Sequence, residues 1–213
     1  MPFFNIHTHY LVEETGCILN CTPNNYPEKS QLYPSEMISL GIHPRDIKKE
    51  MSSELYFLDE HIRDKNVVAV GECGFDLYAE SDAKQQESVL IRQIEISEKY
   101  QKPMIIHCVR MHNELIRLKK RYHPKMPWII HGYRGNEPTT EQLLVHDFYL
   151  SYGKNIRPES LRMTPLDQIF FETDESDIPI STIYKEAAEI LQLEIDDLCR
   201  QLENNFKLFH VNA

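Results

Sequence analysis

Eight short apolar runs recur along the 213-residue chain, and their spacing leaves it few architectures to choose from. They are Phe3–His9, Cys17–Cys21, Met37–His43, Val67–Cys73, Pro103–Val109, Pro127–Tyr133, Phe148–Gly153 and Ile169–Asp174. Several are almost continuously apolar, as in Val67-Val68-Ala69-Val70, instead of alternating. A strand that reads this way is buried on both faces, the condition of a parallel sheet covered by helices. Helical patterns separate most of the later runs: Ser53–Lys65, Ala83–Tyr100, Glu114–Tyr122 and Thr139–Asp147. Two further helices, broken around Leu193–Glu194, are predicted within Ser181–Phe209. Strand–helix alternation through eight strands predicts an α/β fold, a TIM-like (β/α)8 barrel. Few residues separate the first two runs, and Pro23, Pro27 and Pro34 crowd the next gap. A crossover with a full helix needs at least ~10–12 residues, so the first one or two helices are expected to be shortened or missing. Residues 1–213 are expected to form a single barrel domain, since no internal repeat or composition boundary interrupts the pattern.

Hydrophobic residues make up 41% and charged residues 26% of the chain, which excludes disordered and collagen-like classes. The formal net charge of −10 argues against a broad basic surface that holds nucleic acid. It leaves room for phosphate recognition by a local cationic pocket or a bound metal. No early basic-then-apolar run and no bilayer-length apolar stretch occurs. The five cysteines (Cys17, Cys21, Cys73, Cys108 and Cys199) are odd in number and scattered. A cytoplasmic protein with reduced thiols and no membrane association is therefore expected. Cys17 and Cys21 lack the second pair that a structural zinc site needs.

The chemistry gathers at the ends of the runs. His7 and His9 close the first, and a strand's side-chain period of two places both imidazoles on one face. They are either a chelating pair or two histidines packed at a core edge. Glu72, His107, His131 and Asp174 close four later runs. Taken singly, either carboxylate could pair with a Lys or Arg, and either histidine could be a satisfied core residue. In a barrel, however, all strand C-termini share one face, so the four histidines and two carboxylates converge. Six nitrogen and oxygen ligands are too many for one tetrahedral ion with an open position. They suit two divalent ions ~3.5–4 Å apart, bridged by a carboxylate and a hydroxide.

Six segments together resemble the ordered motif set of the TatD family. These are Ile6-His7-Thr8-His9, Leu40-Gly41-Ile42-His43-Pro44, Val70-Gly71-Glu72-Cys73-Gly74-Phe75-Asp76, Pro103-Met104-Ile105-Ile106-His107-Cys108-Val109-Arg110, His131-Gly132-Tyr133-Arg134-Gly135 and Phe171-Glu172-Thr173-Asp174. TatD proteins are metal-dependent hydrolases of the amidohydrolase superfamily, many described as magnesium-dependent deoxyribonucleases. The resemblance implies that His7, His9, Asp174 and Glu72 hold one metal, and that Glu72, His107 and His131 hold a second. It implies that His43 and Arg110 face the substrate phosphate; the plainer readings are a strand-end histidine held by the Pro44 turn and a solvated helix-cap arginine. The implied activity is hydrolysis of phosphodiester bonds in DNA, with a bridging hydroxide as nucleophile and Asp174 and Glu72 as the catalytic carboxylates. Zinc, manganese and magnesium all remain open as the metal: imidazoles favour the first two, whereas magnesium prefers oxygen ligands. DNA or another phosphate-containing substrate is the expected partner, with no obligate protein partner. The same metal core serves hydrolysis of small esters, lactones and amides, which is the alternative, and a non-catalytic binding barrel is a third reading. The chain departs from the family after Asp174. Glu175-Ser176-Asp177 replaces a small residue and proline, and Ile178-Pro179-Ile180 leads straight into helix without the usual Arg- and Asn-bearing loop.

Overall fold

Every apolar run contains a strand in the computed structural model of the chain, which describes residues 2–11 and 16–210. The strands are β1 (Asn5–Thr8), β2 (Cys17–Cys21), β3 (Met37–Leu40), β4 (Val67–Asp76), β5 (Met104–Val109), β6 (Trp128–Ile130), β7 (Tyr149–Tyr152) and β8 (Ile169–Phe171). They lie side by side in sequence order, every neighbouring pair parallel. The ring closes between β8 and β1 through a single parallel bridge, Thr8 to Asp174. There the Asp174 N–H donates to the His7 carbonyl at 3.0 Å, and the His9 N–H donates to the Asp174 carbonyl at 3.1 Å. Side chains lace the rest of this seam: Asn5 Nδ2 donates to Thr173 Oγ1 at 2.8 Å, and the Thr173 N–H returns to Asn5 Oδ1 at 3.1 Å.

The helices are α1 (Tyr26–Leu32), α2 (Ser52–His61), α3 (Ala83–Tyr100), α4 (His112–Tyr122), α5 (Glu137–Val145), α6 (Pro158–Met163), α7 (Ile180–Leu191) and α8 (Ile195–Phe206). The expected shortening of the early crossovers is visible. The second carries only the seven-residue α1, with a proline in its first turn. The first shows no helix among the described residues, residues 12–15 lying outside them. The long α3 starts where its sequence predicts because Asp82 and Gln85 form a reciprocal capping box, each satisfying a backbone N–H of the other's end. Helix α6 went unpredicted; its six residues are too few to show a period. Strand β4 runs three residues past the expected Cys73, to Asp76, and its extension lengthens the pairing with β5.

Helical stripes such as Leu90 and Ile94, Leu115 and Leu118, and Leu198 and Leu202 are buried against the outside of the sheet, each side chain contributing roughly 1.5–3 kcal/mol. Two buried glutamines on α3 have a different task. Gln93 accepts from the Ile42 N–H at 2.8 Å and donates back to its carbonyl at 3.1 Å. Gln86 does the same for Asp76, at 2.9 and 3.0 Å. One helix thereby pins the backbone at the ends of β3 and β4, just where His43 and Asp76 project. Between Val70 and Cys73, β4 advances three residues while β5 advances two, from Met104 to Ile106. The extra residue is a bulge at Gly71–Glu72, a device that re-aims a side chain at a strand end. Gly71 is required there: its φ is +155°, and a Cβ would fall 2.6 Å from the Ile105 carbonyl oxygen.

Candidate active site

Glu72, carried on that bulge and buried, sits at the centre of the face formed by the strand C-termini. Its two oxygens look in different directions. Oε1 lies 2.8 Å from His107 Nδ1, 2.7 Å from His131 Nε2 and 3.2 Å from His43 Nε2. Oε2 lies 3.5 Å from His7 Nε2 and 3.8 Å from His9 Nε2. Asp174 faces the second group, its Oδ1 3.5 Å from His7 Nε2 and 3.4 Å from His9 Nε2. All six strand-end residues and His43 are thus brought together around one carboxylate. Arg110 is not part of this cluster. It follows β5 with a left-handed φ of 58°, and its exposed guanidinium lies 5.7 Å from the Tyr78 ring centre.

The hydrogen bonds on the far side of each ring decide which nitrogen is free. Asp76, fully buried, lies 3.3 Å from His107 Nε2 and offers an acceptor for its proton there, an arrangement that would free Nδ1 for a cation shared with Glu72. Glu172, also fully buried, lies 3.2 Å from His131 Nδ1 and leaves Nε2 facing the centre. His43 is arranged the opposite way. Its Nδ1 accepts the Arg45 backbone N–H at 3.1 Å, so Nε2 bears the hydrogen. A protonated Nε2 can donate to an oxygen and cannot ligate a metal, which separates His43 from the others although it packs equally close. His7 is the outlier: fully buried, with neither Nδ1 nor Nε2 hydrogen-bonded. A buried polar atom without a partner costs about 1–3 kcal/mol, and lone pairs aimed at Glu72 and Asp174 are what a cation between them would satisfy. The residues present therefore fit a metal centre.

Four supporting residues carry no signature of their role in the sequence. Asn20 on β2 donates to Glu72 Oε2 at 3.3 Å and accepts the Glu72 N–H at 3.1 Å, holding both ends of that residue. Asp76 links His107 to Arg45, whose Nε donates to Asp76 Oδ2 at 2.6 Å. Glu172 accepts the Gly132 N–H at 2.6 Å and the Ser151 hydroxyl at 2.5 Å while orienting His131. A polar side chain inside an otherwise apolar run, as Asn20 is in Cys17–Cys21, is the nearest thing to a signal for such a residue, because burying it demands a partner.

Burial works against the charged form of Glu72, but the facing His131, His107 and His43 outweigh it and hold the carboxyl well below its ordinary value. Burial likewise lowers His131, yet Glu72 and Glu172 on its two sides lift its pKa well above the ordinary imidazole value. In the metal-free protein His131 is thus an imidazolium bridging two carboxylates. Its contribution to stability is fully present below about pH 6.5 and is lost as pH rises through the elevated folded pKa. Melting temperature of chelator-treated protein should therefore fall from neutral toward alkaline pH, while metal affinity rises over the same range as the competing proton leaves. A flat alkaline limb in both measurements would contradict the bridging arrangement.

Two cavities open on this face. One of about 370 Å³ is lined by His107, Arg110, His131, Arg134 and Asp174. Its neighbour, about 320 Å³, is lined by Arg134, Lys154, Asp174, Glu175 and Asp177. A larger cavity of about 900 Å³ lies at the other end of the barrel, beside Met37, Asn66 and Lys102 near the starts of β3, β4 and β5, and the histidine cluster does not line it. No helix among the described residues is long and apolar enough to cross a membrane.

A family model described as TatD related DNase matches residues 17–210. The chain is similar to the uncharacterized metal-dependent hydrolase YjjV of Escherichia coli (strain K12), 26% identical over 197 residues that cover 81% of this chain and 76% of that protein. It is also similar to the 3'-5' ssDNA/RNA exonuclease TatD of the same organism, 26% identical over 153 residues. That match covers 67% of this chain and 58% of the exonuclease. Its fold matches the crystal structure of the E. coli YjjV protein, a TatD homolog, with a TM-score of 0.86 at 21% identity, covering 97% of each chain.

Proposed function

The chain belongs to the TatD-related DNase family, and on that premise we propose that it is a metal-dependent hydrolase of phosphodiester bonds in nucleic acid, DNA first among them, working through two divalent ions. The observation that carries this reading is the division of the Glu72 oxygens between two groups of donors: His107 and His131 on Oε1, His7 and His9 on Oε2. Glu72 would belong to both ions. His7, His9 and Asp174 would complete one, and His107 through Nδ1 and His131 through Nε2 the other. Zinc, manganese or magnesium would each meet this mixed nitrogen and oxygen set, with imidazole favouring the first two. When bound, such ions polarise a phosphoryl oxygen and lower the pKa of a coordinated water.

The chain's own groups do the rest. Asp174, whose side chain is 41% exposed to the cavity, accepts the proton of the attacking water. Burial raises its carboxyl pKa, but the His7 imidazole outweighs this and holds it low, so it is ionised and ready as an acceptor. His43 offers the Nε2 hydrogen, fixed by the Arg45 N–H at the other ring nitrogen, to a phosphoryl oxygen. Arg110 lines the same cavity and supplies two parallel donors to the charge that develops there.

The test is turnover of single-stranded DNA, duplex DNA, RNA, and a panel of small esters and amides by metal-stripped and reloaded protein. Cleavage of nucleic acid that chelator abolishes and divalent metal restores, with up to two ions bound, is the expected outcome. Brisk turnover of an amide or lactone with no nucleic acid cleaved decides for the small-molecule alternative. In the same assay His43→Ala and Arg110→Ala should retain full metal content, because neither is a ligand, and lose about 10²–10³ in kcat/KM. Arg110→Lys should recover only part of the loss, a lysine lacking the planar fork. An Arg110→Ala protein that loses a metal ion, or cleaves at the wild-type rate, removes Arg110 from this role.

A further inference from the structure

The loops that follow β4 to β7 carry, in order around the mouth, Tyr78, Arg110, Arg134 and Lys154. All four are exposed, and Tyr78 is 61% so. Six of the ten arginines form carboxylate ion pairs, Arg45, Arg63, Arg92, Arg117, Arg121 and Arg200. Among the described residues Arg110, Arg134 and Lys154 form no such ion pair. Among the described residues, acids at this face stand in the loops that flank these cations, Glu80 and Asp82 after β4 and Glu175 and Asp177 after β8. Cations without a carboxylate partner on the three consecutive strand ends β5 to β7 make a positive arc between these acidic loops.

Tyr78 begins that arc and is held firmly. Its N–H donates to Asp76 Oδ1 at 2.8 Å, and the preceding Leu77 N–H donates to the Val109 carbonyl at 3.1 Å. Arg110 covers one face of the ring, which leaves the phenol exposed beside the entrance of the cavity. An exposed, anchored aromatic at the head of a cationic arc is the combination by which proteins track a single strand, stacking a base and following the backbone.

From these positions, and resting on the phosphodiesterase reading above, we infer that Tyr78, Arg134 and Lys154 form a single-strand track along the β4–β7 rim. Tyr78 stacks a base beside the scissile phosphate held at Arg110, and Arg134 and then Lys154 take the next phosphates along the strand. Glu175 and Asp177 repel the backbone from the β8 side, which keeps the strand on the cations of the β5–β7 ends. Duplex is disfavoured because its bases are already stacked on each other.

The experiment compares KM, kcat and salt dependence for wild type, the Arg134→Ala/Lys154→Ala double variant and Tyr78→Ala, using a dinucleotide and a hexanucleotide as substrates at fixed metal load. The double variant should raise KM for the hexanucleotide about tenfold with little change in kcat, and raise it less for the dinucleotide, which has only the scissile phosphate. The slope of log affinity against log salt should become shallower by about 1.4, since each single-strand phosphate that a cation no longer neutralises removes close to 0.7. Charge-preserving Arg134→Lys/Lys154→Arg should restore most of both. Tyr78→Ala should raise KM about tenfold where Tyr78→Phe does not. A double variant with wild-type KM and salt slope, or an equal penalty on both substrates, overturns the track while leaving the nuclease reading standing. So does a duplex that competes as well as the single strand. Wild-type protein that neither binds nor cleaves any oligonucleotide under any metal overturns the nuclease reading, and the track with it.

Discussion

Glu72→Ala is expected to lose bound metal and catalysis together, the largest single effect available in this chain. The carboxylate lies within 2.7–3.8 Å of five imidazoles drawn from β1, β3, β5 and β6 and the residues that follow them. No other side chain among the described residues stands between the two groups of donors, so none can take over its position. The two proposed ions would supply several kcal/mol of transition-state stabilisation, and each 1.36 kcal/mol is a factor of ten, so a fall in kcat/KM on the order of 10³ or more is expected. Glu72→Gln sharpens the result. It keeps the volume and one oxygen, but its amide nitrogen cannot ligate, so metal content should fall while the fold is retained. His131→Ala, by contrast, should weaken mainly the ion on the Oε1 side, since His7, His9 and Asp174 still define the other. Metal analysis and kcat/KM on the same preparations decide the matter: a Glu72→Ala protein with wild-type metal content refutes the bridging role.

Glu172→Ala should be the most destabilising change at this face, although Glu172 touches no proposed substrate. The carboxylate is fully buried and its partners are the Gly132 N–H, the Ser151 hydroxyl and His131 Nδ1. Truncation leaves all three without a partner and leaves His131 facing Glu72 alone. Removing one member of a buried charged network costs about 3–5 kcal/mol. At about 2–4 °C per kcal/mol for a chain of this length, melting should fall by roughly 6–20 °C. Glu172→Gln keeps the shape and can still accept from Gly132, so most of the stability should return. It gives His131 a neutral partner, however, and metal affinity should stay about 10–100-fold weaker, the usual effect of losing a carboxylate behind a ligating histidine. Calorimetry and metal titration on the pair of variants separate the two effects. Equal metal affinity in Glu172→Gln and wild type would show that Glu172 only packs.

The parts of this molecule that are legible in its sequence are those that depend on local pattern. Doubly buried strands announce themselves as apolar runs, and a polar residue at a run's end needs only the common direction of barrel strands to be placed in the cluster at the strand C-termini. His7, His9, Glu72, His107, His131 and Asp174 are readable for that reason. Asp76 and Glu172 are not, although both sit inside segments that carry the family resemblance. Their significance lies in pairings with His107, 31 residues away, and His131, 41 residues away, which no local pattern encodes. His43 shows a subtler gap: its position is readable, but its tautomer rests on a backbone N–H that only the turn at Pro44 brings to Nδ1. Helix α6 escapes because six residues complete fewer than two turns.

The seam between β1 and β8 has a consequence for the order in which the molecule comes together. Its hydrogen bonds join residues up to 168 positions apart, as between Asn5 and Thr173, and only one backbone bridge reinforces them. Every other strand pair closes a far shorter loop, and loop-closure entropy rises with the length enclosed. The ring should therefore zip from β2 toward β8 and shut here last, as contact-order reasoning favours near pairings over distant ones. The residues at the closure are His7, His9 and Asp174, the proposed donors to one ion, so on that proposal metal uptake and ring closure would become a single late event. Chelation should accordingly speed amide hydrogen exchange at His9 and Asp174 well before the β3–β6 amides respond. Uniform protection around the ring in metal-free protein would show that the seam holds without its clasp.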